Sequence, residues 1–121
     1  MSTADCTGLL LDFEFIEDIR RMEQALARDD VLSGFVRDLE NELAGFGAAF
    51  SGHLDRGDAK SAVRAAHTLK SACGQLGAQA LGALFADIER SAKAGDYAQA
   101  QQTFGSAADL ITQSLEALKR A

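Results

Sequence analysis

The sequence predicts an all-α fold, an antiparallel up-down-up-down four-helix bundle with an additional N-terminal helix. Three observations predict it. Not one of the 121 residues is proline, so the strongest helix breaker is absent. Apolar residues make up 47% of the chain, enough for one packed core. They recur at i, i+3, i+4 and i+7 over five successive segments, and no period-2 strand pattern or internal repeat interrupts them.

A disordered tail is expected over residues 1–8, with one helical domain over 9–121. The first helix is expected from Asp12 to Ala27, with Phe13, Ile16, Ile19, Met22 and Leu26 on one face. Asp29 and Asp30 then supply a break and an N-cap. The second helix is expected from Val31 to His53, its apolar face being Leu32, Phe35, Val36, Leu39, Leu43, Phe46 and Phe50. Gly45 and Gly47 weaken it by about 1 kcal/mol each relative to alanine, and allow a neighbouring helix to approach closely.

Gly52 to Gly57 form a turn, and Asp58 caps a third helix running from Ala59 to about Leu76, where Gly77 ends it. The fourth is expected from Gln79 to Ala94, with Leu81, Leu84, Phe85 and Ile88 inward. After a stop at Gly95-Asp96, the fifth is expected from Tyr97 to about Lys119, carrying Tyr97, Ala100, Phe104, Ala107, Ile111, Leu115 and Leu118 in register. Short connections make helices two to five antiparallel neighbours.

Charge and cysteine usage narrow the function. The net charge of −6 argues against nucleic acid, because binding phosphate backbones needs a basic surface. The charge is uneven: between Arg56 and Lys70 stand the cations Arg56, Lys60, Arg64 and Lys70 against the single anion Asp58. A basic island on an acidic protein addresses an acidic partner site. Cys6 and Cys73 do not make a disulfide framework; Cys6 falls in the expected tail, and Cys73 lies on an apolar stripe as a small hydrophobe. No apolar run approaches a membrane span, and no cationic segment precedes Leu9-Leu10-Leu11, so neither membrane nor signal peptide is expected and the cytoplasm is the expected location.

The third helix carries the chemistry. At about 100° per residue, Ala62, Ala66, Leu69, Cys73 and Leu76 share a narrow inward stripe. His67 lies roughly 140° from its centre and points toward water. Lys60, Arg64 and Ser71 share its side, Gly74 borders it, and Lys70 stands one turn on. An exposed imidazole is a good phosphoryl acceptor, since its unperturbed pKa of ~6.5 leaves it largely neutral and nucleophilic near pH 7. Phosphoryl transfer asks the protein for positioning and charge stabilisation, which Lys70 is placed to supply, with Arg64 next in line. Ser71 and Gly74 leave the approach open. No metal-binding spacing and no glycine-rich phosphate loop is present, so no ATP site of its own and no metal site are expected.

The run His67-Thr68-Leu69-Lys70-Ser71-Ala72-Cys73-Gly74-Gln75-Leu76-Gly77-Ala78 resembles the histidine-containing phosphotransfer (HPt) family, whose pattern is His-x-Leu-Lys-Gly followed by small residues and Leu-Gly-Ala. Leu81, Leu84, Glu89, Gly95 and Asp96 also resemble it, and the likeness spans about Val31 to Leu118. Ser71 stands where the family usually has glycine, and Gln75 where asparagine is common. The resemblance implies a phosphorelay intermediate, not an enzyme. His67 would accept a phosphoryl group from the phospho-aspartate of a response-regulator receiver domain, such as one belonging to a hybrid histidine kinase, and pass it to another receiver. Lys70 would stabilise phosphate charge, and Lys60, Arg64, Ser71 and Gly74 would meet the partner. No cofactor is expected on this chain, and magnesium is expected on the receiver. The alternative is a non-catalytic module that sequesters a receiver or kinase without being phosphorylated; the Ser71 departure is the one feature leaning toward it.

Overall fold

The computed structural model describes residues 10–121; the expected tail over 1–8, with Cys6, lies outside the described residues. Six helices follow: α1 (Phe13–Ala25), α2 (Val31–Asp55), α3 (Ala59–Gln75), α4 (Gln79–Lys93), α5 (Tyr97–Gly105) and α6 (Ala108–Arg120). Among the described residues there is no strand. Three-residue turns fold α2, α3, α4 and α5 back on one another, and α6 packs on both α2 and α4 to close a four-helix bundle. The helix α1 leans on α2 from outside.

The bundle holds through one apolar core. Leu32, Val36, Leu39, Leu43, Phe46 and Phe50 of α2 meet Ala62, Ala66, Leu69 and Cys73 of α3, and Leu81, Phe85 and Ile88 of α4. Phe46 sits at its middle, stacked on Phe50 at 5.0 Å, edge-on to Phe85 at 5.1 Å and 4.9 Å from Phe104. A Cβ at Gly47 would come within 3.0 Å of the Phe104 ring, so the absent side chain is what admits that ring. No such contact surrounds Gly45. Leu69 is 3% exposed. Leu69→Ala is expected to destabilise by about 2–5 kcal/mol in chemical denaturation. A loss below about 0.5 kcal/mol would mean α3 is rotated from the phase that puts His67 outward.

Several expectations need correction. The fifth helix is two helices, broken at Ser106-Ala107. Gly105 and Ser106 are weak helix formers, and there the backbone bonds tighten to Ala107 N–H on Phe104 O before the ladder restarts from Ala107 O. On α1 only Ile16, Ile19 and Glu23 are buried, while Phe13, Met22 and Leu26 are exposed. A helix that touches the bundle along one strip cannot bury a wide face. Phe35 and Tyr97 are exposed as well.

The start of α2 is also built differently. Asp30 is its N-cap residue but makes no side-chain cap; its carboxylate binds Arg28 instead. The backbone N–H groups of Val31 and Leu32 donate to Glu23 Oε2 at 3.0 Å each, and Arg20 donates to Glu23 Oε1 at 2.8 Å. A carboxylate from α1 thereby satisfies the orphan donors of α2 and ties the two helices together. The Leu32 N–H, then the Arg20 hydrogen bond, hold the Glu23 carboxyl below its ordinary range against the opposing effect of burial.

The turn between α3 and α4 fixes the site's far end. Gly77 adopts φ +72° and the Ala78 N–H bonds back to Cys73 O, closing α3. The segment before α1 crosses this turn: Asp12 N–H donates to Gly77 O at 2.6 Å, and Leu10 and Leu11 are buried beside it.

Candidate functional site

His67 stands in the middle of α3, six residues past Ser61, whose N–H the Asp58 carboxylate caps. The apolar stripe Ala62, Ala66, Leu69 and Cys73 is buried as the periodicity requires, and that anchors the phase of the helix. With the stripe inward, the His67 side chain is 60% exposed. Lys60, Arg64, Lys70, Ser71 and Gly74 are all exposed on the same helix. Open space surrounds Gly74: a Cβ there would meet nothing within 4 Å.

The structure adds a residue that sequence reasoning did not place in the site. Glu89, on α4, is buried and accepts a hydrogen bond from His67 Nδ1 at 2.8 Å through Oε2. Lys70 Nζ lies 3.5 Å from its other oxygen, and Lys93 Nζ lies 3.9 Å from Oε2. One carboxylate thus gathers an imidazole and two ammonium groups from two helices. The signal in sequence was faint. Glu89 falls one residue after Ile88 at the edge of α4's inward face, and nothing local pairs it with a histidine 22 positions earlier.

The electrostatics decide how the ring is protonated. Burial pushes the Glu89 carboxyl up, but the His67 hydrogen bond and the charges of Lys93, His67 and Lys70 outweigh it and hold the group below its ordinary range. Glu89 is therefore an ionised acceptor near neutral pH, so His67 Nδ1 carries the hydrogen. That leaves Nε2, the outer nitrogen, without a hydrogen-bond partner among the described residues. In the neutral ring it carries the lone pair.

The other histidine is arranged in the opposite sense. Arg56 donates to His53 Nδ1 at 3.0 Å, and a guanidinium can only donate, so His53 Nδ1 is an acceptor. His53 therefore turns its Nδ1 to the Arg56 guanidinium, three residues on at the end of α2. Burial pushes the Cys73 thiol up to about 12, in keeping with its place on the inward stripe. Among the described residues no cluster of three or more histidine, cysteine or acidic side chains could hold a metal ion, and no helix is long and apolar enough to cross a membrane.

Residues 14–121 match the family model of the Hpt domain, and the chain belongs to that family. Hpt domains are histidine-containing phosphotransfer modules of phosphorelays, carriers rather than kinases, and they interact with receiver domains. Comparison with curated proteins and with solved structures returns no match.

Proposed function

We propose that this chain is a phosphorelay intermediate in which His67 accepts a phosphoryl group from a receiver-domain phospho-aspartate and returns it to the aspartate of another receiver. The observation that carries this reading is the pairing of His67 Nδ1 with the ionised Glu89 carboxylate, which turns a lone pair on Nε2 toward solvent. In the forward step that lone pair forms the P–N bond while the aspartyl P–O bond breaks, its electron pair staying on the aspartate carboxylate. The ring becomes an N-phosphorylated imidazolium whose Nδ1–H faces Glu89. The return step reverses each bond.

Lys70 stabilises the phosphate charge beside Nε2. It sits one turn from His67, 44% exposed and only loosely held by Glu89 at 3.5 Å, so it is free to turn to a phosphoryl group. Lys60, Arg64, Ser71 and Gly74 form the surface that the receiver meets, the cations answering the acidic, magnesium-bearing cleft of that partner. The magnesium ion belongs to the receiver, and the exchange takes place in the cytoplasm.

Lys70→Ala is expected to slow phosphotransfer or shorten the life of the phosphohistidine while the melting curve stays in place. Transfer of labelled phosphate followed at several ionic strengths checks it; unchanged rates and lifetime throughout would remove Lys70 from the site. A wild-type chain that binds receivers tightly yet takes phosphate from none would instead favour a sequestering module.

A further inference from the structure

Nothing in phosphoryl carriage by a surface histidine requires a buried carboxylate under the ring. A neutral acceptor such as a backbone carbonyl or an amide would fix the same tautomer. Glu89 brings a negative charge as well, only 8% exposed at its side chain and 2.8 Å from Nδ1. We infer that Glu89 sets the lifetime of the phosphohistidine, acting through Nδ1 as a positioning residue that keeps the phosphorylated ring protonated and therefore ready to give up its phosphate. This rests on the reading of His67 as the acceptor.

The chemistry follows from what leaves when the P–N bond breaks. With Nδ1 protonated, the electron pair returns to Nε2 and the ring departs as neutral imidazole. With Nδ1 deprotonated, it must depart as an imidazolate anion, a far poorer leaving group. The fraction carrying the Nδ1 proton therefore governs both hydrolysis and transfer to the next carboxylate. A carboxylate in hydrogen-bond contact favours the protonated, cationic ring, as the aspartate of a catalytic triad favours its imidazolium. Its partial burial keeps water from weakening that effect.

The charges around the ring pull in both directions. On α3, Lys60, Arg64 and Lys70 share its side, and on α4, Lys93 stands beside Glu89; all four disfavour a second positive charge. The helix α2 meets α3 along Ala65, Thr68 and Leu69, where Glu42 is the titratable group lining the groove. The phosphoryl group supplies a counter-charge for Lys70 and Lys93, drawing them from Glu89 and leaving the carboxylate to the ring alone. Phosphorylation thus strengthens the Glu89–His67 bond that labilises it, which suits a carrier that passes phosphate on rather than storing it.

Glu89→Gln isolates the charge, since the amide oxygen can still accept from Nδ1 and the size is unchanged. The full chain is phosphorylated with phosphoramidate, freed of the donor, and followed by NMR. The Nδ1 pKa of phosphohistidine 67 is expected to fall by about one unit in the variant, and the half-life above that pKa to lengthen roughly tenfold. Wild type alone gives a second measurement: its phosphorylated ring should hold the Nδ1 proton to higher pH when folded than in urea. If wild type accepts phosphate but the variant's half-life and pKa are unchanged, or the folded and unfolded rings titrate alike, the role of Glu89 is overturned while the acceptor reading stands. If wild type takes no phosphate from phosphoramidate or from any phosphorylated receiver, both fall.

Discussion

His67→Gln is expected to abolish phosphate acceptance while receiver binding persists within about tenfold. Glutamine offers no nucleophilic ring nitrogen, yet its amide N–H can replace Nδ1–H as the donor to Glu89, so the buried carboxylate keeps a partner. Because the His67 side chain is 60% exposed, stability should change by no more than about 0.5 kcal/mol. Labelled-phosphate transfer and calorimetric titration on the same preparation separate chemistry from docking. Persistent acid-labile phosphate on the variant would place the acceptor elsewhere. His53 is the one other histidine in the sequence, and its Nδ1 is taken up by Arg56. A loss of binding equal to the loss of transfer would mean that the imidazole is chiefly a docking contact.

The second large effect is expected on stability, at Gly77. An alanine there would need φ near +72°, a left-handed conformation costing a Cβ-bearing residue about 1–2 kcal/mol. Its Cβ would also lie 2.5 Å from the Asp12 carbonyl oxygen and 3.0 Å from Phe15 Cβ, and backbone does not yield as a flexible side chain does. Overpacking of this kind adds about 1–3 kcal/mol, so Gly77→Ala should lose about 2–5 kcal/mol in urea denaturation. Gly57→Ala is the matched control. Its φ is +70°, but nothing lies within 4 Å of the added carbon, so only the conformational cost of about 1–2 kcal/mol should appear. Equal losses at both positions would mean that the segment before α1 does not clasp the α3–α4 turn.

That contrast also shows where the sequence was readable. The spacing of apolar residues placed α2, α3 and α4 to within a residue or two, because each buries a full stripe and stops at a glycine turn. The phase of α3, and with it the outward position of His67, followed from Ala62, Ala66, Leu69 and Cys73, all buried. What stayed hidden depends on contacts between distant segments. Glu89 reaches His67 only because α4 packs against α3, and Glu23 caps α2 only because α1 folds over its start. The clasp of Asp12 on Gly77 spans 65 positions, which no local pattern encodes. The stripe on α1 was misleading for a related reason: Phe13, Met22 and Leu26 have helical spacing, but a helix docked along one edge leaves them in water. The break at Ser106-Ala107 was signalled by two poor helix formers, Gly105 and Ser106. A continuous apolar register on either side outweighed it.

On the reading proposed above, the outer nitrogen of His67 carries the phosphoryl group. The direct measurement is phosphorus–nitrogen coupling by NMR in uniformly ¹⁵N-labelled chain phosphorylated by a receiver domain and kept at alkaline pH. A single coupled nitrogen is expected, Nε2 of His67, whose phosphorus signal survives base, vanishes in acid and moves to a second receiver when one is added with magnesium. Coupling to Nδ1, coupling to His53, or a chain that gains no phosphorus–nitrogen bond would contradict it.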